Sequence, residues 1–494
     1  MYHVLMFGLL MTPKVALALD IDNHLQQLIQ SADLRQTKVA FMVKDLQTSE
    51  ILAELNADVP MIPASNMKLI TTAAALDVLG TDFVFRTKLS LIQTDQVSPN
   101  GITAETRLGI LGGGDPAFGD PVLLGQHGLI VDDLLNQWVQ AVAQTQVSRF
   151  KGLLVDDRIF DSEFVHPSWP TSDLIKHYGA QVTGLNFHTN CVDVLPEPTV
   201  QGQTPRIRLF PDHSFLQTVN RAETSDQDLF TIDRKLGTNE LIFGGTVRNR
   251  RNAPYRITIH DPPMLFARWF AQRLADRGIE IGSLARASEQ EQLHEIKTLH
   301  LVQTTLPQIL KRTNQDSQNL FAECLLKRMG REMTGRPGSW KGGAAAIRIV
   351  LAKRLGSPSA TIAIDDGSGL SRGNRATARI FLELLDSMHQ DTRKSKIFRE
   401  SLAAGGAKGT LRRRFGDLEG QVYAKSGYLR SVSALSGYLV LPAESVQIRS
   451  RTIGFSFLFN GFAPHKRNFD IKKLQEKMLK RIEQALIDPV TMGG

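Results

Sequence analysis

The chain has 494 residues, 42% of them hydrophobic and 22% charged, with 39 Gly, 21 Pro, 2 Cys and a formal net charge of +8. That length exceeds one ordinary hydrophobic core and implies two or three domains, while the composition excludes a disordered tail or an array of repeats. Basic residues are spread along the chain apart from Arg248, Arg250, Arg251 and Arg412, Arg413, Arg414, and no zinc-finger or RNA-recognition pattern joins them; they read as solvated surface, not a nucleic-acid site.

Val4 to Leu10 is apolar, and Ala16-Leu17-Ala18 is a small-x-small pattern just before Asp20, the outline of a secretory leader over residues 1–19. Apolar residues at 21, 25, 28 and 29 then follow a helical period. Lys38 to Lys44 and Ile51 to Leu55 read as the two strands of a hairpin. A helix starts near Ser65 and stops at Gly80, a C-terminal glycine. From about 85 to 300 the chain holds short β-like runs, among them Leu108 to Leu111, Gly152 to Val155, Arg206 to Phe210, Glu240 to Phe243 and Tyr255 to Ile259. Helical pattern there is confined to Asp132 to Gln144 and Pro263 to Arg277.

Helices return at Leu306 to Lys311, Leu320 to Met329, Ala344 to Leu355 and Ala378 to His389. A strand meander follows: Val422 to Lys425, Ala434 to Leu441 and Thr452 to Phe459. The closing helix, apolar at 471, 474, 478, 482, 485 and 486, is read as packed by one face on a sheet in preference to lying on a membrane. Cys191 and Cys324 have no metal-ligand spacing and form no disulfide framework; two buried thiols are expected.

Three short motifs carry chemistry. In Ser65-Asn66-Met67-Lys68 the residues i and i+3 share one helix face, so the Lys68 amine can reach the Ser65 hydroxyl and take its proton when neutral. In Ser317-Gln318-Asn319 a hydroxyl and an amide share one tight turn, able to relay a proton and hold a substrate amide; the plainer reading is a helix N-cap. In Lys425-Ser426-Gly427, at a strand end, a cation and a hydroxyl can grip a carboxylate while Gly427 admits close approach. Each alone is common by chance. In this order, on a helix start, a turn and a strand, they form the set S-x-x-K, S-x-N, K-[ST]-G.

With Met61-Ile62-Pro63-Ala64, Gly112-Gly113-Gly114-Asp115-Pro116, Asp365-Asp366-Gly367-Ser368-Gly369-Leu370-Ser371-Arg372 and Ser433-Ala434-Leu435-Ser436-Gly437-Tyr438, the chain resembles the D-alanyl-D-alanine carboxypeptidase/endopeptidase family of class C low-molecular-mass penicillin-binding proteins, peptidase family S13. The resemblance implies an α+β multidomain protein with the penicillin-binding (serine β-lactamase-like) transpeptidase fold, a five-stranded antiparallel sheet flanked by helices. That catalytic domain would be split between 20–84 and 304–494. An inserted domain would span 85–162 and 260–303, with a β-rich domain, 163–259, nested inside it.

It further implies that Ser65 is acylated, Lys68 is its base, and Ser317 and Asn319 assist protonation and binding. Lys425 and Ser426 would bind the terminal carboxylate, and the backbone N–H groups of Ser65 and Tyr428 would form the oxyanion hole. Leu370 and Arg372 would wall the pocket, and Asp156 would meet the amine of the stem's diamino acid. No cofactor or metal is implied. The expected partners are peptidoglycan peptides and, as covalent inhibitors, β-lactam antibiotics, with no nucleic acid and at most peripheral membrane contact, in the periplasm or cell envelope of a bacterium. One departure stands out: the family's usual K-T-G-T is Lys425-Ser426-Gly427-Tyr428 here, which keeps the hydroxyl but places a tyrosine beside the nucleophile.

Three rival readings remain open at this stage. Gly369-Leu370-Ser371-Arg372-Gly373 matches the G-x-S-x-G of an α/β-hydrolase esterase, with Asp417 and His465 following in order. A catalytically weak peptidoglycan-binding or penicillin-sensing module would keep the same scaffold. A β-lactamase would need an activated water, for which no E-x-x-x-N stands in a suitable place.

Overall fold

The computed structural model describes residues 13–34, 36–94, 106–211, 215–443, 450–463 and 468–487. They gather into two compact units. One holds the chain up to Asp77, Leu310–Ser317 and everything from Ile347 onward; the other holds Val78–Ile309 and Gln318–Ala346. Residues 1–12 of the expected leader lie outside the described residues, and from Pro13 to Ser31 the backbone is one helix.

In the first unit, strands Lys38–Asp45, Val432–Leu441 and Arg451–Asn460 are buried at nearly every position. Such continuous burial requires cover on both faces of the sheet, which is why these segments read as apolar runs with little alternation. The sheet is antiparallel, in the order Ala403–Ala404, Gln421–Leu429, Val432–Leu441, Arg451–Asn460, Lys38–Asp45, Ile51–Leu55. Five strands are substantial; the edge pair at Ala403 adds a sixth.

Alternation along Lys38–Asp45 then sorts the faces. Val39, Phe41 and Val43 join a core with Ile21 and Leu25 of the first helix and with Ile471, Leu474, Met478 and Ile482 of the closing helix Asn468–Ile487. The apolar face of the closing helix is therefore spent on the sheet, as its pattern predicted. On the opposite face, Lys44 Nζ meets Asp386 Oδ2 at 2.7 Å and the Tyr438 hydroxyl donates to the Leu385 carbonyl at 2.8 Å. Both partners belong to the helix Ala378–Gln390, whose N-terminus is capped by Thr377 accepting from the Ile380 N–H. The helix Met67–Val78 is buried at every position from Met67 to Leu76, so it is a core helix with no solvent face.

In the second unit a mixed sheet runs Leu284–Arg286, Leu153–Asp156, Arg107–Gly112, Val84–Thr94, Leu293–Thr305. Helices Val131–Ala143 and Pro262–Ala275 cover it around Phe118, Trp138, Phe187, Phe266 and Phe270. A separate small core of Val192, Val194, Leu241, Phe243 and Ile257 lies under the two three-stranded sheets built from residues 191–258. The long pairing of Val84–Thr94 with Leu293–Thr305 was not anticipated from the sequence. The second strand is an edge, mostly exposed and interrupted at Glu295/Lys297 and Thr298/His300, so it carries no period-2 signal.

Candidate active site

Ser65 sits in a single 3₁₀ turn, Ala64–Asn66, leading directly into the helix Met67–Val78. Ala64 has φ +46°, a left-handed conformation costly for a residue with a Cβ. What holds it is the loop that follows Asp365. A Cβ at Gly369, whose φ is +82°, would lie 1.8 Å from the Ala64 carbonyl oxygen, so only glycine lets that loop reach the turn. The same loop supplies the Gly367 carbonyl to the Thr71 hydroxyl at 2.7 Å and the Ser368 carbonyl to Lys68 Nζ at 2.8 Å. Fully buried Lys68 is thereby aimed at the nucleophile, with Nζ 3.0 Å from Ser65 Oγ.

Ser317 ends the short segment after the helix Leu306–Gln315 and has φ +57°. Its expected alternative role, an N-cap, is not the one it takes. The helix Asn319–Thr334 is preceded by Gln318 with no side-chain cap, and the Ser317 hydroxyl accepts from Lys425 Nζ at 2.9 Å. Asn314 secures this segment, donating to Thr72 Oγ1 at 3.1 Å and to Ser401 Oγ at 2.9 Å.

Lys425 is fully buried in the strand Gln421–Leu429, and its Nζ also donates to the Ser426 carbonyl at 2.7 Å. Burial pushes its ammonium well below the ordinary lysine range; the charge on Lys68 adds to this and Asp316 opposes it. Asn66 ties the turn to the sheet, donating to the Lys425 carbonyl at 2.8 Å and accepting from the Ser436 hydroxyl at 2.7 Å. A Cβ at Gly427 would lie 2.9 Å from the Pro63 carbonyl oxygen and 3.0 Å from the Ser65 amide nitrogen. The bare strand edge therefore passes directly beside the nucleophile's N–H.

These residues surround a cavity of about 310 Å³ lined by Ser65, Ser317, Ser426, Gly427 and Tyr428, together with Thr410, Arg414 and Lys472. Sequence reasoning misses the last three, since it reads the Arg412-Arg413-Arg414 cluster as solvated surface. Arg412 and Arg413 are exposed, but the Arg414 side chain is 10% exposed. Tyr428 lines the cavity while remaining 55% exposed. The Ser426 hydroxyl lies 3.0 Å from Thr410 Oγ1.

Other residues singled out from the sequence lie differently. Leu370 is buried, and Arg372 donates to the Arg430 carbonyl. Asn319 belongs to the second unit, where Nδ2 donates to the Tyr178 carbonyl at 2.9 Å. Asp156, also in the second unit, is gripped by Arg158 through Nε at 2.8 Å and Nη2 at 2.9 Å, on the wall of a cavity of about 820 Å³. The esterase reading fails on its own residues. Ser371 is fully buried with its hydroxyl on Asp365 and Asp417 pairs with Lys480. The sheet is antiparallel where that fold needs a parallel one, and His465 lies outside the described residues.

The sequence profile of the D-Ala-D-Ala carboxypeptidase 3 (S13) family matches residues 20–485. The chain is 30% identical over 464 residues to a D-alanyl-D-alanine carboxypeptidase of Actinomadura sp. (strain R39), covering 90% of this chain and 81% of that protein. It is 25% identical over 457 residues to the D-alanyl-D-alanine carboxypeptidase DacB of Haemophilus influenzae, covering 88% and 89%. The crystal structure of penicillin binding protein 4 from Haemophilus influenzae has the same fold, with TM-score 0.75 at 21% identity over 93% of this chain and 99% of that one. Its complex with a novel β-lactam gives TM-score 0.71 at 20% identity. The chain thus belongs to the D-Ala-D-Ala carboxypeptidase 3 (S13) family.

Proposed function

We propose that this protein is an exported serine carboxypeptidase that removes the terminal D-alanine of peptidoglycan stem peptides through an acyl-enzyme on Ser65. The observation that carries the reading is the pair of amine–hydroxyl contacts at one cavity: Lys68 Nζ to Ser65 Oγ at 3.0 Å and Lys425 Nζ to Ser317 Oγ at 2.9 Å. A serine needs a neighbour to take its proton, and Lys68 is in reach. Ser65 Oγ attacks the carbonyl carbon of the penultimate D-alanine. The oxyanion is held by the N–H groups of Ser65 and Tyr428, beside which Gly427 leaves room.

The Ser317–Lys425 pair delivers a proton to the departing amine, Asn319 holds the substrate amide, and Ser426 faces the terminal carboxylate. Collapse of the tetrahedral intermediate breaks the C–N bond and releases D-alanine; water then hydrolyses the ester on Ser65. Cleavage of cross-links follows the same steps with a larger leaving amine. Asp156 meets the amine of the stem only if its pair with Arg158 opens. A β-lactam enters as a substrate analogue whose ring opening acylates Ser65 and whose ester hydrolyses slowly.

The test is intact-mass spectrometry and peptide mapping after incubation with benzylpenicillin, alongside D-alanine release from a muropeptide. Wild type is expected to carry one adduct, on Ser65, and to release D-alanine; Ser65→Ala loses both. Labelling at another serine in that variant would overturn the assignment. Labelling of wild type without D-alanine release would point to a penicillin-sensing module instead.

A further inference from the structure

Two segments of the first unit meet beside the cavity at Ser65, and both are basic. The stretch 408–420 lends Thr410 and Arg414 to the cavity wall, and the closing helix Asn468–Ile487 lends Lys472. Arg414 joins the two: Nε donates to Glu476 Oε1 at 2.5 Å and Nη2 to the Lys472 carbonyl at 2.9 Å. Along the same junction the Gly420 N–H donates to Glu483 Oε1 at 2.7 Å, and Lys480 Nζ to Asp417 Oδ2 at 3.1 Å.

These contacts consume carboxylates and leave cations over. Lysine and arginine outnumber Asp and Glu on each segment, and once Asp417, Glu476 and Glu483 are engaged at the junction, Asp470 and Glu419 are the carboxylates that remain. Lys408, Arg412, Arg413 and Lys473 are exposed, and none has a carboxylate partner among the described residues. Arg412 reaches the Gly409 carbonyl at 3.4 Å, and Lys473 Nζ lies 4.5 Å from the centre of the Phe469 ring. Burial and the charge on Arg414 hold Lys472 below the ordinary lysine range, with Glu476 opposing. Elsewhere on this unit the cations are matched: Arg379 by Asp58 and Glu54, and Arg354 and Lys394 by Asp77. The excess is therefore local, and it is continuous with the cavity wall.

From this we infer that the rim built by residues 408–413 and the exposed side of the closing helix is a docking surface for the peptidoglycan strand, engaging carboxylates of neighbouring stem peptides while one stem occupies the cavity. The inference rests on the carboxypeptidase reading and names the polymer, over a free peptide, as the preferred substrate. A strand with a free carboxylate at the end of each uncleaved stem is a polyanion, so such a rim raises its local concentration and its rate of capture. An anionic bilayer fits less well. The apolar face of the closing helix is spent on the sheet, and Phe469 is the one exposed large apolar side chain described on these segments.

The test uses purified sacculi freed of attached polymers, a soluble N-acetylated stem peptide ending in D-Ala-D-Ala, and phosphatidylglycerol vesicles. Wild type is expected to sediment with sacculi at about 50 mM salt and to be released at about 300 mM. Arg412→Gln/Arg413→Gln/Lys473→Gln is expected to lose that sedimentation and about 10-fold in kcat/KM for D-alanine release from sacculi. On the soluble peptide it stays within about twofold of wild type, and benzylpenicillin still labels Ser65. Arg412→Lys/Arg413→Lys, which keeps the charge, retains the rate on sacculi. An equal loss on both substrates overturns the inference, as does salt-insensitive sedimentation of wild type. Unchanged sedimentation of the triple variant with sacculi, coupled to lost binding of vesicles, would mark a lipid surface instead and overturn it too. Wild type that sediments with sacculi but neither labels at Ser65 nor releases D-alanine would sink the catalytic reading and leave the docking surface standing.

Discussion

Beside Ser65 there is no space for a side chain at position 427: an added Cβ would press on the Pro63 carbonyl oxygen and on the Ser65 and Asn66 amide nitrogens, all within 3.1 Å. Those contacts are backbone, which cannot rotate away, so Gly427→Ala must push the strand off the turn. Loss of one oxyanion donor typically costs 10²- to 10³-fold in rate. Gly427→Ala is therefore expected to lower kcat/KM by about that factor while most of the melting temperature is retained; wild-type kcat/KM would show that the strand edge takes no part in catalysis. Tyr428 is tolerated for a different reason, its exposure. Its side chain is more than half exposed, so the residue that departs from the family's pattern keeps its backbone at the site and sends much of its ring to solvent.

At the scale of elements, charge buried inside the second unit makes stability depend on pH. Asp115 is fully buried after the strand Arg107–Gly112, accepting from Thr304 Oγ1 at 2.7 Å and from the Ala117 N–H at 2.8 Å. Burial pushes its carboxyl up to about 6, the hydrogen bonds only partly opposing it. A carboxyl raised in the folded state favours folding below the unfolded value near 3.8, and that contribution is lost as pH rises through about 6. Asp115→Asn stays neutral throughout. Its unfolding free energy relative to wild type is expected to increase between pH 4 and pH 7 by on the order of 2–3 kcal/mol. Urea denaturation at both pH values measures this, and a constant difference would mean that Asp115 is not held protonated by its surroundings.

For the molecule as a whole, no helix among the described residues is long and apolar enough to cross a membrane, and both cysteines are free and fully buried. Burial pushes the Cys191 thiol up to about 12 and raises Cys324 as well, so neither offers a thiolate to a reagent. Ellman's reagent is expected to find no thiol in native protein and both in denaturant; a fast native reaction would place one of them at the surface. The local parts of this architecture were legible in advance. The helix after Ser65, the strand that carries Lys425 and the closing helix follow from apolar period and turn residues, which act within a few positions. The three motifs likewise contain Ser65, Ser317, Ser426 and Gly427 of the cavity lining, because chemistry restricts which side chains stand at such spacings. Other features were decided only by assembly. Ser317 gives up a cap for Lys425, 108 positions away, and Arg414, read as one of three surface arginines, is buried against Glu476, 62 positions away. Ser371 is sealed inside its own loop, and the exposed strand Leu293–Thr305 finds its partner at Val84–Thr94. A side chain's burial, its partner and its protonation belong to the environment that distant segments build around it, and no local pattern in the chain encodes that environment.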